Sequence, residues 1–486
     1  MIRFVTAAGE LALPGPDIAL EIVNPYFETD AIPGITTYPF DVPAVGDNPR
    51  FLKFPHLFRG PGGPPPEPTD CYLDGVLWKR GSLVFRGYDA GKQRLRYNFV
   101  ADAADLAKQL AGVQLPALEL PPLVFERAAV GAGYVLAPVR NAAFFDDKNP
   151  AFKGILNHPS LGPAGPAQVY VPMLYLVPVL RQVLLATIGY TITGDWVEDP
   201  EIQQLVIYSD RALPASQAEG GPFNPARHLP DLSVPELLLA LQNKFCLGLH
   251  FQPDKKELRI TPLRDVAARQ LSYRARPGAV LRAGGTNETA GFLLKESADD
   301  NDELDKTLPT AWQQLQVGAG QEEISTAAGT LHLVREADPT APARQWLVPA
   351  IAATGASTEH ELGDDSRTGL RLLFDRGFCP DSQGNPYRLL SAGTADYHGD
   401  PVGTYSLQWD GWEGLYRQWH KAWLDFRARA VPREYDVPFR IADLLALDPG
   451  THELVDHHLM LWQKVSLRVS AAGRLQSATF SYQELL

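Results

Sequence analysis

SVPELLLALQNKFCLGLHFQPDKKELRIT, residues 233–261, carries the change of period that decides the fold. Ser233 stands three residues before Glu236, the spacing of a capping box, in which a hydroxyl and a carboxylate each satisfy an orphan amide at a helix start. Leu237, Leu238, Leu241 and Phe245 then recur at helical spacing. Beyond them LGLHF (247–251) and ELRIT (257–261) flank Pro253, Asp254 and Lys255, a hairpin signature. The stretch predicts a helix running into two antiparallel strands.

Working upstream, Leu176, Val177, Leu180, Val183, Leu184 and Ile188 predict a second amphipathic helix, ended by Gly189 and followed by a strand-like YTITG. The first 120 residues read as β. IALEIV (18–23) and TTYPFDV (36–42) are short β-branched and aromatic runs, and GPGGPPPEP (60–68) reads as an extended, exposed loop. CYLDGVLW (71–78) and SLVFRGY (82–88) read as strands split at Lys79, Arg80 and Gly81, and 93–100 as a half-buried strand. Residues 103–110 predict a short helix. Residues 265–400 look less regular, with the acidic run 297–305 and the polar stretch 352–367 expected in exposed loops. Asp410 and Glu413 are placed to cap a helix reaching about Arg429. A strand near 434–439, a short helix at 441–445 and strands near 459–469 and 476–483 follow.

At 486 residues, with 45% hydrophobic and 21% charged, the chain is long enough for about three folded domains. Its 42 prolines imply many turns and short strands. We divide it into a β-barrel-like domain at 1–125, an α+β domain at 126–265, a second β-rich domain at 266–405 and an α+β segment at 406–486. A net charge of −13 and the lack of a basic run argue against sequence-specific DNA binding. The densest basic cluster is Arg427, Arg429 and Arg433. Cys71, Cys246 and Cys379 form neither a disulfide framework nor a zinc site by spacing. The opening residues lack the apolar stretch of a leader, so assembly in a reducing cytoplasm is expected. The most apolar run, 169–180, is too short and too interrupted by Pro172 and Pro178 to span a bilayer.

Candidate chemistry is sparse. His452 and the pair His457, His458 miss the i, i+4 spacing of a zinc helix and read as a solvated strand end. Asp299, Asn301 and Glu303 open like a calcium loop. Leu304 and Thr310 stand where that loop needs glycine and a bidentate acid, so a flexible acidic loop is the better reading. Adjacent acids such as Asp146 and Asp147 face different ways in a strand or loop, a poor basis for glycosidase work. No nucleophile elbow, P-loop or dinucleotide fingerprint occurs. Hence no catalytic, cofactor or metal residue is assigned. Trp412, Tyr416, Trp419, Trp423 and Phe426, with Leu415, fall on one face if helical, a core or interface stripe; a glycan surface is the alternative use.

Three groups of segments resemble structural proteins of prophage tails of Bacteroidetes-type bacteria. They are TYPFDVPA (37–44) with NPRFLKFPH (48–56) and LDGVLWKRGSL (73–83); 177–196 with Asp199–Glu201 and 205–209; and 413–426 with 441–448. The helix and hairpin of 233–263 are similar to the baseplate-hub, late-control family. The resemblance implies a mainly β, multidomain chain with tube-like β-barrel domains plus small α+β domains, acting without enzymatic activity. It implies a homotrimer at the tail tip whose six barrel faces meet a sixfold tube. Its partners would be tail-tube, distal-tail or baseplate proteins, and also the tape measure and a tail spike. A receptor- or glycan-binding tip module and a tail-borne cell-wall hydrolase are the alternatives. The proline-rich insert at 60–68 and the acidic loop near 300 depart from the family pattern.

Overall fold

The computed structural model describes the chain apart from residues 1, 14–17, 31–34, 38, 61–62, 74, 102–109, 111, 129–132, 142–153, 159–168, 215–216, 253–254, 269–271, 288, 290, 301, 308–309, 321, 353–368, 470–474 and 486. All but the last residue of the helix expected at 103–110, the pair Asp146 and Asp147, Asn301 and nearly all of the polar stretch 352–367 therefore lie outside the described residues.

The chain is mainly β. Among the described residues the largest sheet has fourteen strands, drawn mostly from the first hundred residues and from those after 430. Gly9–Glu10, Ile2–Thr6, Glu67–Leu73, Val76–Asp89, Arg94–Ala101, Ile35–Thr37 and Ile18–Val23 lie side by side in that order. His458–Val469, Leu475–Glu484, Val431–Val437 and Val280–Gly284 continue the sheet. The two parts join where Ile18–Val23 pairs antiparallel with His458–Val469, Ile18 opposite Val469 and Val23 opposite Lys464. Ile18, Leu20 and Ile22 alternate inward, the period of a half-buried strand, into a core shared with Phe4, Phe99, Val465 and Phe480.

A second, larger core gathers the helices of the middle of the chain and parts of the smaller sheets, and a third, small one holds Ile155, Trp346, Val348, Cys379, Tyr387 and Leu389. The helix Leu176–Ile188 buries Leu176, Val177, Leu180, Val183 and Leu184 and ends at Gly189, whose φ of 69° is the left-handed C-cap favoured by glycine. The capping box of Ser233 and Glu236 is present, and Val234–Phe245 runs directly into the hairpin Leu247–Gln252 and Glu257–Pro262. Thr191–Thr193 joins that hairpin as a parallel third strand. No helix among the described residues is long and apolar enough to cross a membrane.

Three expectations change. Lys79, Arg80 and Gly81 do not divide two strands: Val76–Asp89 is one strand of 14 residues. A Cβ on Gly81 would lie 2.1 Å from the Val100 carbonyl oxygen, so the glycine admits the neighbouring backbone rather than breaking the strand. Residues 265–400 hold long strands, Ala341–Ile351 and Arg371–Pro380 among them. The acidic run near 300 is not an exposed loop throughout, since Asp299, Asp302 and Asp305 are buried.

Candidate functional site

The aromatic stripe divides in two. Helical winding starts only at Leu415, passes through a π-helical turn at Tyr416–His420 and continues as Lys421–Arg429. Trp419 is buried between Phe245 and Tyr405, ring centroids 5.8 and 5.0 Å away, with the Arg264 guanidinium 4.1 Å from its own. Trp423 is buried against Phe27 at 5.2 Å, and half-buried Phe426 meets both rings. Tyr416 is half-buried at the edge of the same core. Trp412 precedes the helix and is 70% exposed. Its carbonyl accepts a hydrogen bond from Gln418 Nε2 at 2.9 Å, the Arg417 guanidinium lies 4.4 Å from its ring centroid, and exposed Asp410 and Glu413 flank it.

Beneath this segment lie buried charges that sequence reading missed. Lys244, on the helix of the capping box, pairs with Glu296 and lies 5.3 Å from the Trp409 ring centroid. Burial pulls the Lys244 ammonium below its ordinary value and pushes the Glu296 carboxyl above its own, each opposed by the other's charge. Arg371 Nη2 lies 3.3, 4.0 and 3.2 Å from carboxylate oxygens of Asp299, Asp302 and Asp305. The acids also accept backbone amides: Gly369 donates to Asp299 at 2.8 Å and Ala352 to Asp302 at 3.0 Å. The cation of this calcium-like stretch is thus a guanidinium of the chain itself. Spacing alone hid it because Arg371 lies about seventy residues downstream.

His420, in the π turn, is buried with its Nε2 3.1 Å from the Lys244 carbonyl oxygen; desolvation pulls its pKa down to about 4. His452, expected at a solvated strand end, is instead buried in the strand His452–Val455, Nε2 2.8 Å from the Val266 carbonyl oxygen, while Asp456 and His457 form the turn into His458–Val469. Among the described residues no group of three His, Cys, Asp or Glu is placed to hold a metal ion, and the three cysteines are free and buried.

The exposed surface offers two further features. The first is the segment 45–60. Asn48 pins its base, exchanging hydrogen bonds with both backbone groups of Ala12 at 2.9 Å and donating to the Pro43 carbonyl at 3.0 Å. Lys53 and Phe54 then both adopt left-handed φ, 54° and 50°, which costs non-glycine residues about 1–3 kcal/mol each. Val45, Phe54, Leu57 and Phe58 emerge exposed, and His56 bridges Phe54 to exposed Tyr88, ring centroids 6.4 and 4.9 Å away. The second is the strand Val280–Gly284 at one end of the large sheet. It bonds on one side to Val431–Val437, all five of its residues are exposed, and Val280 is 64% exposed.

No family model matches the chain, and neither does any curated protein. Among solved structures, the 43 kDa tail protein of prophage MuSo2 from Shewanella oneidensis aligns over 99% of this chain and 97% of its own, at 10% identity and a TM-score of 0.35. A tail protein from Neisseria meningitidis MC58 aligns over 99% and 95%, at 9% identity and a TM-score of 0.36.

Proposed function

We propose that this chain is a structural component of a phage or phage-like tail, a trimeric tail-tip or baseplate hub that closes the tail tube and links it to tip proteins. The observation that carries the reading is the open fourteen-stranded sheet ending in the fully exposed strand Val280–Gly284. Proteins that act alone blunt or cover such an edge, because its free amides and carbonyls recruit another strand; here a bulge between Leu281 and Ala283 interrupts the edge, yet it leaves Val280 and Leu281 64% and 47% exposed. A hub is completed by its neighbours and has use for one. The helix and hairpin at 233–263, quoted above for the family resemblance, form as Val234–Phe245, Leu247–Gln252 and Glu257–Pro262, and the reading takes them as the family's unit. In this reading the parts 1–125, 126–265, 266–405 and 406–486 include the tube-like barrels that face the tube. The partners are further copies of the chain and tail-tube, distal-tail or baseplate proteins.

Native mass by light scattering after gel filtration, over a range of concentrations, tests it. A discrete trimer is expected, and a monomer at every concentration would sink the hub reading. Exposed Trp412 favours a second use, as a glycan-stacking residue of a tip module. Binding of cell-surface oligosaccharide that Trp412→Ala abolishes would favour that use. A cell-wall zymogram is expected to show no clearing, and clearing would revive the hydrolase.

A further inference from the structure

Trp412 and the 45–60 segment are exposed apolar surfaces with charges of opposite sign in excess beside them, and they rest on different cores of the chain. The patch of Val45, Phe54, Leu57, Phe58 and Tyr88 is anchored through Phe51 and Leu52 in the core of the large sheet. Trp412 sits between Trp409 and Leu415, which belong to the other core. Within 45–60 Arg50 pairs with Asp47 at 3.3 Å and Lys53 with Glu67 at 2.7 Å, which leaves exposed Arg59 as the base in excess, in a chain whose net charge is −13. Around Trp412 the acids Asp410 and Glu413 outnumber the one cation, Arg417.

We infer that the Trp412 knob of one copy docks on the Phe54–Leu57–Phe58 patch of the next, so that copies of this chain associate head to tail. This rests on the hub reading and supplies the surfaces by which its copies meet. A large aromatic seated in an apolar site inside a charged rim is the usual anatomy of an interface hot spot. Both halves are already in place. The hydrogen bond to the Trp412 carbonyl and the stacked Arg417 hold the knob, and the left-handed Lys53 and Phe54 fix the patch, so little ordering entropy remains to be lost on contact. Each copy presents one knob and one patch. A contact between two unlike surfaces repeats around a ring and closes when the rotation permits.

The test is the concentration dependence of native mass for the wild type and for Trp412→Ala, Leu57→Asp, Glu413→Lys, Arg59→Glu and the double variant carrying both charge reversals. All change exposed side chains, and far-UV circular dichroism checks that each has folded. We expect a wild-type trimer, at least tenfold weaker association for each single variant, and recovery of part of that loss in the double reversal. A wild-type trimer with Trp412→Ala and Leu57→Asp equally trimeric would overturn the inference and leave the hub reading intact. Weakening by both charge reversals with no recovery in the double variant would overturn the pairing of these two surfaces. A wild type monomeric at every concentration would remove both inference and hub reading.

Discussion

Arg371 faces three carboxylates in a site closed to water. Removing it leaves those carboxylates without their cation, and breaking a buried ionic cluster from one side costs about 3–5 kcal/mol. Arg371→Met is therefore expected to lower stability by that amount, read as a fall in the urea midpoint at constant slope. Adding Asp305→Asn should return part of it by relieving one of the stranded charges. His420 supplies a pH dependence. Its folded pKa of about 4 lies below the unfolded value near 6.5, so on acidification the unfolded chain takes up the proton first. The contribution is complete above about pH 6.5 and is lost as the pH falls toward 4, where the folded group itself titrates. At about 1.4 kcal/mol per unit it amounts to on the order of 3 kcal/mol. His228, pulled down to about 3 by complete burial, adds in the same direction. A His420→Gln variant should show a shallower loss of stability between pH 7 and 4; an unchanged slope would remove His420 from the account.

At the scale of elements, the cap and the close approach carry the predictions. Ser233→Ala removes an acceptor for the Glu236 amide and should cost about 1 kcal/mol in thermal or urea unfolding. Gly81→Val must push its new Cβ into the Val100 carbonyl, so it should unfold the chain or shift its strand, where Gly87→Ala, with open space around it, should not. The same contrast explains what was legible in the sequence. Leu176–Ile188, the capped helix and its hairpin were readable because period and cap are local properties. Val76–Asp89 was not, because a glycine that admits a neighbouring strand and one that ends a strand look alike until the neighbour is known. The acids at 299–305 were misplaced for a related reason, since their partner Arg371 comes from a distant strand. Trp412 read as part of the stripe because its spacing fits a helix, whereas the helix starts three residues later, at Leu415.

At the scale of the molecule, the large sheet makes the first hundred residues depend on those after 430. A chain truncated after residue 430 loses the strand that covers Ile18–Val23, together with Tyr435, Val465, Phe480 and Tyr482 from the shared core. It should elute as an expanded or aggregated species and bind a hydrophobic dye. A compact, dye-silent fragment would show that the first hundred residues fold without the later strands. The pairing of Ile18 with Val469 also sets a timetable during synthesis. At about 5–20 residues per second a ribosome needs roughly 20–90 s to pass from one strand to the other. Throughout that interval the nascent strand Ile18–Val23 has an uncovered edge, so a holding chaperone, or slow and concentration-sensitive refolding, is a direct consequence of where its partner is encoded.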